Sequence, residues 1–313
     1  MSERIATRDA YGQALLELGR SDDRIVVFDA DLSGSTKTNL FKAEFPQRHF
    51  NAGIAEMNMA GMAAGMAVCG KIPFISTFAM FGTGRIYDMV RNAICYPKLN
   101  VKLAMTHAGL SVGEDGASHQ MLEDIALMNA LPNMTVFVPA DAEEAKQMVF
   151  EASQIEGPVY IRLGREKTDA IFNELYDFTP SNVHIIKDGT DVTLVACGIM
   201  VAKAIEAAEK LKQDNISAAV LNFSSFKPVD AFNLIAYAKK TLAVITCEEH
   251  SIYGGLNSVV SQILSQNAPT IIEAVAVEDS FGESGKPEEL LVKYSLTTDD
   301  IIKKVKFALR KAL

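Results

Sequence analysis

Residues 101–130 read VKLAMTHAGLSVGEDGASHQMLEDIALMNA, and this stretch indicates the class of fold. It opens with an apolar run at 101–106, which has the length and composition of a buried strand. A loop with three glycines follows, and residues 122–130 then predict a helix. Strand, loop and helix in this order form the repeating unit of parallel α/β proteins.

The same alternation extends on both sides, from residue 5 to residue 165. The further strand candidates are residues 24–30, 73–77, 135–139 and 159–163. The further helix candidates are residues 7–18, 54–69, 84–95 and 142–152, with Asp141 as the N-cap of the last. We therefore predict a single parallel-sheet α/β domain over residues 1–168.

A second alternation begins after residue 188. Its strand candidates are residues 192–196, 218–221, 243–246 and 271–276, and its helix candidates are residues 201–212, 230–238, 255–265 and 298–309. Residues 169–188 break the pattern, so we predict that they form a linker before a smaller domain at 189–313. The predicted fold class is α/β, with two parallel-sheet domains.

The composition predicts a globular protein that binds neither nucleic acid nor a membrane. Hydrophobic residues make up 49% and charged residues 22% of the 313 residues, the balance of a soluble protein with a large core. The net charge is −9, and no basic cluster offers a site for nucleic acid or anionic lipid. The N-terminus MSERIATRDA lacks the apolar core of a signal peptide. These features predict a cytoplasmic location.

The cysteines predict no disulfide framework and no metal site on this chain. They are far apart and form no CxxC pair, so we expect four buried thiols: Cys69, Cys95, Cys197 and Cys247.

Glu56 is unusual within NAGIAEMNMAGMAAGMAVCG, residues 51–70. It lies in the first turn of a predicted helix that carries no further charge. The small residues of this helix let backbones approach closely, which suits an intimate interface. A carboxylate partly desolvated there would suit proton transfer, whereas the alternative is a carboxylate that only stabilises the helix N-terminus.

The loop after the strand at 101–106 carries two of the five histidines, His107 and His119. In parallel α/β sheets ligands bind beyond the carboxyl ends of the strands, where this loop must lie. Neutral histidines can donate to phosphate or hydroxyl groups near pH 7. The alternative is a glycine-rich surface loop with two incidental histidines.

Weaker signals lie at other strand ends. Phe78 and Phe81 could offer a flat face to a planar ring, although aromatics at this spacing are more often core. Arg162 and Arg165 could clamp a phosphate, although surface arginines without a ligand are commoner. GTGRIYD, residues 82–88, lacks the third glycine and the context of a dinucleotide fingerprint.

Five segments in order resemble the transketolase family over nearly the whole chain. THAGLSVGEDGASHQ is similar to the family signature TH-S-I-G-x-G-E-D-G-P-T-H-Q, and GIAEMNMAG to the segment with the catalytic glutamate. IATRDAYGQAL, ADLSGST and LGRE are similar to the family's ATR, A-D-L-T-x-S and S-R-Q segments. The resemblance implies a thiamine diphosphate pyrimidine-binding fold followed by the smaller transketolase C-terminal domain.

The resemblance also implies residue roles. Glu56 would hydrogen-bond N1′ of the aminopyrimidine and so help activate the cofactor, and His119 would face the reacting sugar hydroxyls. The other implied cofactor contacts are Phe78, Phe81 and Asp31. The other implied substrate contacts are Arg8, Ser35, His107 and Arg165 at the sugar phosphate and Asp115 at a sugar hydroxyl.

The chain departs from the family pattern at three positions. Gly84 stands where a third ring-packing aromatic is expected, and Met57 replaces the usual His or Gln after the glutamate. Ala108 replaces the Asp that often follows the first histidine, which lies in the predicted sugar-binding region.

The family's Mg²⁺–diphosphate motif, a GDG with a downstream Asn, is absent: the DG pairs at 115–116 and 188–189 are not preceded by glycine. The resemblance therefore implies a partner subunit that carries the GDG motif and binds most of the Mg²⁺ and diphosphate. We expect an α₂β₂ assembly, with the helix near residue 60 at an interface.

The implied function is that of the C-terminal subunit of a split transketolase, which transfers a two-carbon ketol unit between phosphorylated sugars of the pentose phosphate pathway. Three alternatives remain open at this point. They are the beta-type subunit of a 2-oxoacid dehydrogenase, a 1-deoxyxylulose-5-phosphate synthase-like enzyme, and a non-catalytic binding subunit.

Overall fold

The computed structural model describes residues 4–312. The strands are β1 (Ile5–Ala6), β2 (Ile25–Asp29), β3 (His49–Asn51), β4 (Ile72–Ser76), β5 (Lys102–Met105), β6 (Thr135–Phe137), β7 (Val159–Arg162), β8 (Lys167–Thr168), β9 (Ser181–Asn182), β10 (His184–Lys187), β11 (Val192–Ala196), β12 (Ala218–Asn222), β13 (Ser225–Lys227), β14 (Val229–Asp230), β15 (Ala243–Ser251) and β16 (Ile271–Val277). The helices are α1 (Thr7–Ser21), α2 (Ser33–Thr36), α3 (Asn39–Glu44), α4 (Glu56–Val68), α5 (Tyr87–Met89), α6 (Asp124–Asn129), α7 (Ala142–Gln154), α8 (Met200–Leu211), α9 (Phe232–Lys240), α10 (Leu256–Asn267), α11 (Pro287–Lys293) and α12 (Thr298–Ala312).

The first sheet has seven strands in the order β13-β6-β7-β5-β4-β2-β3. All neighbours are parallel except β13, which pairs antiparallel with β6. The strands of this sheet are almost wholly buried because helices cover both faces. The predicted parallel sheet is confirmed. The edge strand β3 was missed, since its three residues, HFN, carry no apolar run.

The second sheet has five strands in the order β10-β12-β11-β15-β16, parallel except for the edge strand β10. This confirms a second α/β unit. Strand β10 lies inside residues 169–188, where the sequence predicts a linker, and β13 lies beyond residue 189 yet joins the first sheet. The second unit therefore begins inside the predicted linker and contributes β13 to the first sheet, and the domain limits stay a prediction.

A continuous hydrophobic cluster packs the two units together. It includes Leu103 and Met105 of β5 together with Val195 of β11 and Leu221 of β12. Helical segment 84–95 is irregular: π-helical turns at Met80–Arg85 and Val90–Cys95 flank the single turn of α5. No helix within residues 4–312 is long and apolar enough to span a membrane.

The prediction of four buried thiols is wrong for one cysteine. Cys95, Cys197 and Cys247 are buried, and burial raises the pKa of the Cys95 thiol to about 11. Cys69 is exposed because it follows the last turn of α4, where the chain turns back towards β4.

Candidate active site

The carboxyl ends of neighbouring strands bring the predicted site residues together. Strands β7, β5, β4 and β2 are adjacent in the first sheet, and each runs into one of the segments singled out above. An isolated bridge between Phe78 and Thr106 continues the pairing of β4 with β5 beyond the strands themselves. Phe78 and His107 are therefore held side by side at this edge, where parallel sheets bind ligands.

His107 is a buried neutral histidine. Its ring stacks on Phe78 with the centroids 3.8 Å apart, its Nε2 lies 3.1 Å from Arg8 Nη1, and its Nδ1 lies 2.8 Å from Thr106 Oγ1. Burial, and then the nearby Arg8 and Arg165, lower the pKa of His107 to about 3. Since a guanidinium only donates, Nε2 accepts from Arg8 and Nδ1–H donates to Thr106.

An aromatic group lies beside this histidine. The rings of Phe78 and Phe81 are nearly parallel, at 15°, with centroids 6.0 Å apart. His119 stands edge-on to Phe81 at 5.3 Å, and its Nδ1 lies 3.0 Å from Ser118 Oγ. Phe78 is buried under His107, so Phe81 and His119 form the more open part of the group.

Glu56 begins α4 and its side chain is only 5% exposed. Its Oε1 accepts a hydrogen bond of 2.8 Å from Nη1 of Arg85. The guanidinium carbon of Arg85 lies 4.3 Å from the centroid of the Phe81 ring. One arginine thus bridges the predicted catalytic carboxylate and a predicted ring-packing phenylalanine.

Sequence reasoning missed Arg85, because its segment GTGRIYD was considered only as a failed dinucleotide motif. A local signal was present: Arg85 follows Phe81 by four residues, one helical turn, so its side chain reaches the same face.

A cationic group closes the other end of the site. Arg8 Nη1 donates to the backbone oxygen of Ser35 at 3.1 Å, which links the ATR and ADLSGST segments. Burial first, and also the charge of Arg165, hold the pKa of Arg8 below its ordinary value. Arg165 Nη1 donates to Val112 O at 2.5 Å and lies 3.8 Å from Glu114. Two guanidinium groups that repel each other here favour an anion between them.

Asp31 and Asp115 lie at the exposed margin of the site. Asp31 has a positive φ of 65° and exchanges hydrogen bonds with Asn51, through its amide and its Oδ1. Asp115 is exposed at the turn of the loop 107–120. Direct contacts therefore link six of the ten predicted site residues: Phe78, Phe81, His119, His107, Arg8 and Ser35. Glu56 joins this group through Arg85, Arg165 acts on it by its charge, and the two carboxylates lie at its edge.

The prediction that Arg162 clamps a phosphate is wrong. Its Nε donates to Asp124 at 2.8 Å and its Nη2 to the backbone oxygen of Glu249 at 2.9 Å, both in the protein interior. Arg162 is the last residue of β7 and its side chain turns under the loop, whereas Arg165 lies three residues further, beyond the sheet edge.

Residues of the second α/β unit hold the loop 107–120 in place by hydrogen bonds. Glu249 Oε1 accepts from the Ser111 amide at 2.5 Å, and Gln120 Nε2 donates to Gly113 O at 3.0 Å and to Glu283 O at 2.9 Å. Glycine is required at position 109, where φ is +85° and a Cβ would collide with the Glu249 carboxyl group. The loop is thus fixed in shape by long-range contacts.

These residues fit the aminopyrimidine end of a thiamine cofactor. A buried carboxylate and an aromatic face stand within one contact group, as a planar ring with a hydrogen-bonding nitrogen requires. Within residues 4–312 no three His, Cys, Asp or Glu side chains cluster closely enough to hold a metal ion.

The fold is that of an α/β protein of two units, with a candidate site at the carboxyl edge of the first sheet. Two family models match the chain in order: the transketolase pyrimidine binding domain over residues 3–169 and the transketolase C-terminal domain over residues 181–301. The chain belongs to the transketolase family and corresponds to its C-terminal section.

Similar proteins agree with this assignment. A solved structure described as a split gene transketolase, in an inactive beta4 tetramer, is 52% identical, covers 98% of this chain and 99% of its own, and has a TM-score of 0.90. A transketolase C-terminal section of Methanocaldococcus jannaschii is 45% identical, over 97% of this chain and 96% of its own length. The 6-deoxy-6-sulfo-D-fructose transketolase subunit SqwH of Clostridium sp. (strain MSTE9) is 40% identical, over 95% of this chain and 92% of its own length.

Proposed function

We propose that this chain is the pyrimidine-binding subunit of a heteromeric transketolase that transfers a two-carbon ketol unit between phosphorylated sugars. The observation that carries the proposal is the arrangement of one site: the buried Glu56 and Phe81 at one end, His119 in the middle, and the Arg8–His107–Arg165 group at the other. This order matches a substrate with a reacting carbonyl at one end and an anion at the other.

When bound, thiamine diphosphate supplies the carbon nucleophile and the electron sink for the transferred unit. The residues of this chain orient the cofactor and the sugar and exchange protons with them. Glu56 hydrogen-bonds the pyrimidine N1′, and the rings of Phe78 and Phe81 orient the cofactor ring. Asp31, at the exposed margin of the site, is a further contact to the cofactor.

The sugar lies along the opposite side of the site. His119 donates to, or accepts from, the hydroxyls next to the reacting carbon, and Asp115 binds a hydroxyl further along the sugar. Arg8, Arg165 and Ser35 bind the phosphate, since two neighbouring guanidinium groups favour an anion. His107 acts there through Arg8, whose guanidinium donates to its Nε2.

A second subunit completes the site. It carries the GDG motif, binds Mg²⁺ and the diphosphate, and assembles with this chain as α₂β₂ in the cytoplasm, in the pentose phosphate pathway. Two observations support a partner: the similar split gene transketolase is described as inactive as a beta4 tetramer, and the start of α4 presents apolar side chains. Ile54 is 80% exposed and Met57 is 52% exposed, directly beside Glu56.

The test is a two-carbon transfer assay from xylulose 5-phosphate to ribose 5-phosphate, with thiamine diphosphate and Mg²⁺. It is run on this chain alone and on its mixture with the GDG-bearing protein encoded beside it. Activity in the mixture alone supports the proposal. Activity of the single chain would refute the need for a partner, and inactivity of both would refute the reaction.

A sulfonated sugar is a second candidate substrate. The similar SqwH subunit is named for 6-deoxy-6-sulfo-D-fructose, and a sulfonate would meet the same guanidinium groups as a phosphate. Ala108, where the family often has Asp, lies in this part of the site. The same assay with the sulfosugar in place of xylulose 5-phosphate distinguishes the two donors by kcat/KM.

A further inference from the structure

Arg85 contacts two of the residues that the proposed function assigns to the cofactor ring, Glu56 and Phe81. Its Nη1 donates to Glu56 Oε1 at 2.8 Å, and its planar guanidinium lies 4.3 Å from the centre of the Phe81 ring. A flat, hydrogen-bonding group therefore already fills the place between the carboxylate and the aromatic face. We propose that Arg85 is a placeholder for the aminopyrimidine ring, which must displace it, so that Arg85 sets the affinity of the assembled enzyme for thiamine diphosphate.

The two occupants exclude each other by position. The guanidinium of Arg85 lies over the Phe81 ring, with its carbon 4.3 Å from the ring centre, while its Nη1 bonds Glu56 Oε1. A pyrimidine ring that stacks on this face of Phe81 with N1′ at Glu56 needs the space that the guanidinium fills. The contact of Arg85 with Phe81 therefore has to break when the ring enters, whichever oxygen of Glu56 meets N1′.

The surroundings of Arg85 allow the side chain to leave. It is 48% exposed, whereas Glu56 is buried, so Arg85 is the mobile member of the pair. The next residue back is Gly84, where an added Cβ would touch only the tips of Met80 and Met121. Arg85 also ends the π-helical turn Met80–Arg85. A rotation towards solvent breaks its ion pair with Glu56 and its contact with the Phe81 ring.

This inference rests on the proposed function, because it assumes that Glu56 and Phe81 receive the pyrimidine. A half-exposed ion pair and a cation–π contact are each modest, so their loss predicts a change of about threefold to tenfold in affinity.

The test is isothermal titration of thiamine diphosphate with Mg²⁺ into the complex of this chain with its GDG-bearing partner. We expect Arg85→Ala to bind about threefold to tenfold more tightly than wild type. Arg85→Gln keeps a neutral donor to Glu56 and should fall between them; it also serves if Arg85→Ala does not fold. Arg91→Ala is the matched control, since Arg91 is exposed in the same segment and its side chain bonds only the neighbouring Asn92.

A double variant makes the test specific. In a Glu56→Gln background the gain from Arg85→Ala should shrink, because the competition is for that carboxylate. Equal or weaker binding by Arg85→Ala, with wild-type binding intact, overturns the placeholder while leaving the proposed function standing. No binding by wild type or by either Arg85 variant overturns both.

Discussion

The position of Glu56 in the sequence marks it as a candidate functional residue, and the structure adds the contact that it makes. It is a charged side chain at the start of a helix of small residues, buried and held by one arginine from a different segment. A buried carboxyl group whose single hydrogen-bond partner can be displaced is suited to exchange a proton with a ligand.

The corresponding prediction concerns Glu56→Gln. The amide keeps the shape of the side chain, so the subunit should fold and assemble with its partner, while turnover falls by about 10²–10⁴-fold because a glutamine cannot give N1′ a proton and take it back. The measurement is kcat of the assembled complex, with sedimentation to confirm assembly. Wild-type turnover in this variant would remove Glu56 from the mechanism.

His107 predicts a pH dependence of stability. Its pKa is about 3 in the folded protein and near 6.5 unfolded, so between these values only the unfolded chain takes up the proton. The free energy of unfolding should therefore fall as the pH drops below about 6.5, and the contribution of His107 is fully present only above that pH.

The measurement is urea unfolding at pH 7 and pH 5. His107→Gln should lose about 1–2 kcal/mol less than wild type between the two pH values, because its side chain does not titrate. His250, whose pKa is lowered to about 4 mainly by burial, is present in both proteins and cancels in the difference. Equal losses would show that His107 is not held neutral.

At the scale of elements, strand β15 links the second unit to the active-site loop. The predicted strand ends at residue 246, whereas β15 continues to Ser251. This extension places Glu249 under the loop 107–120, where it accepts from the Ser111 amide. Burial raises the pKa of Glu249, and the charge of Arg162 opposes that rise.

Glu249→Ala should therefore loosen the loop that carries His119. We expect a drop of about tenfold or more in kcat/KM for the sugar, with thiamine diphosphate affinity unchanged, since Glu249 bonds the loop 107–120 whereas Glu56 begins α4. Glu249→Gln keeps the accepting oxygen and should retain most activity. Equal activity of the alanine and glutamine variants would show that this contact does not position the loop.

At the scale of the whole molecule, the apolar start of α4 argues for burial against another subunit. Ile54 is 80% exposed two residues before Glu56, and covering such a residue removes apolar surface from water. Ile54→Asp should weaken association with the GDG-bearing partner by tenfold or more, as measured by sedimentation or titration.

The control for that prediction is Leu175→Asp. Leu175 is 86% exposed but lies in residues 169–188, away from α4, so its substitution should leave association unchanged. If both variants associate like wild type, the face near residue 54 is not the interface.

Local pattern determined much of this protein. The alternation of apolar runs and amphipathic runs predicted both sheets, because strand and helix periods are written into neighbouring residues. The motif at 106–120 and the charged start of a small-residue helix led to His107, His119 and Glu56 without any coordinates. The short edge strands β3, β10 and β13 escaped prediction, since three or four residues carry no clear period.

Only the tertiary structure decided which side chains meet. Glu56 and Arg85 are 29 residues apart, and Ser111 and Glu249 are 138 apart, so no local pattern relates them. Arg162 and Arg165 look alike in the sequence, yet the end of β7 buries one against Asp124 and leaves the other at the sheet edge. The physical reason is that hydrogen bonds and ion pairs depend on distances in space, which the packing of the two sheets sets only after both have formed.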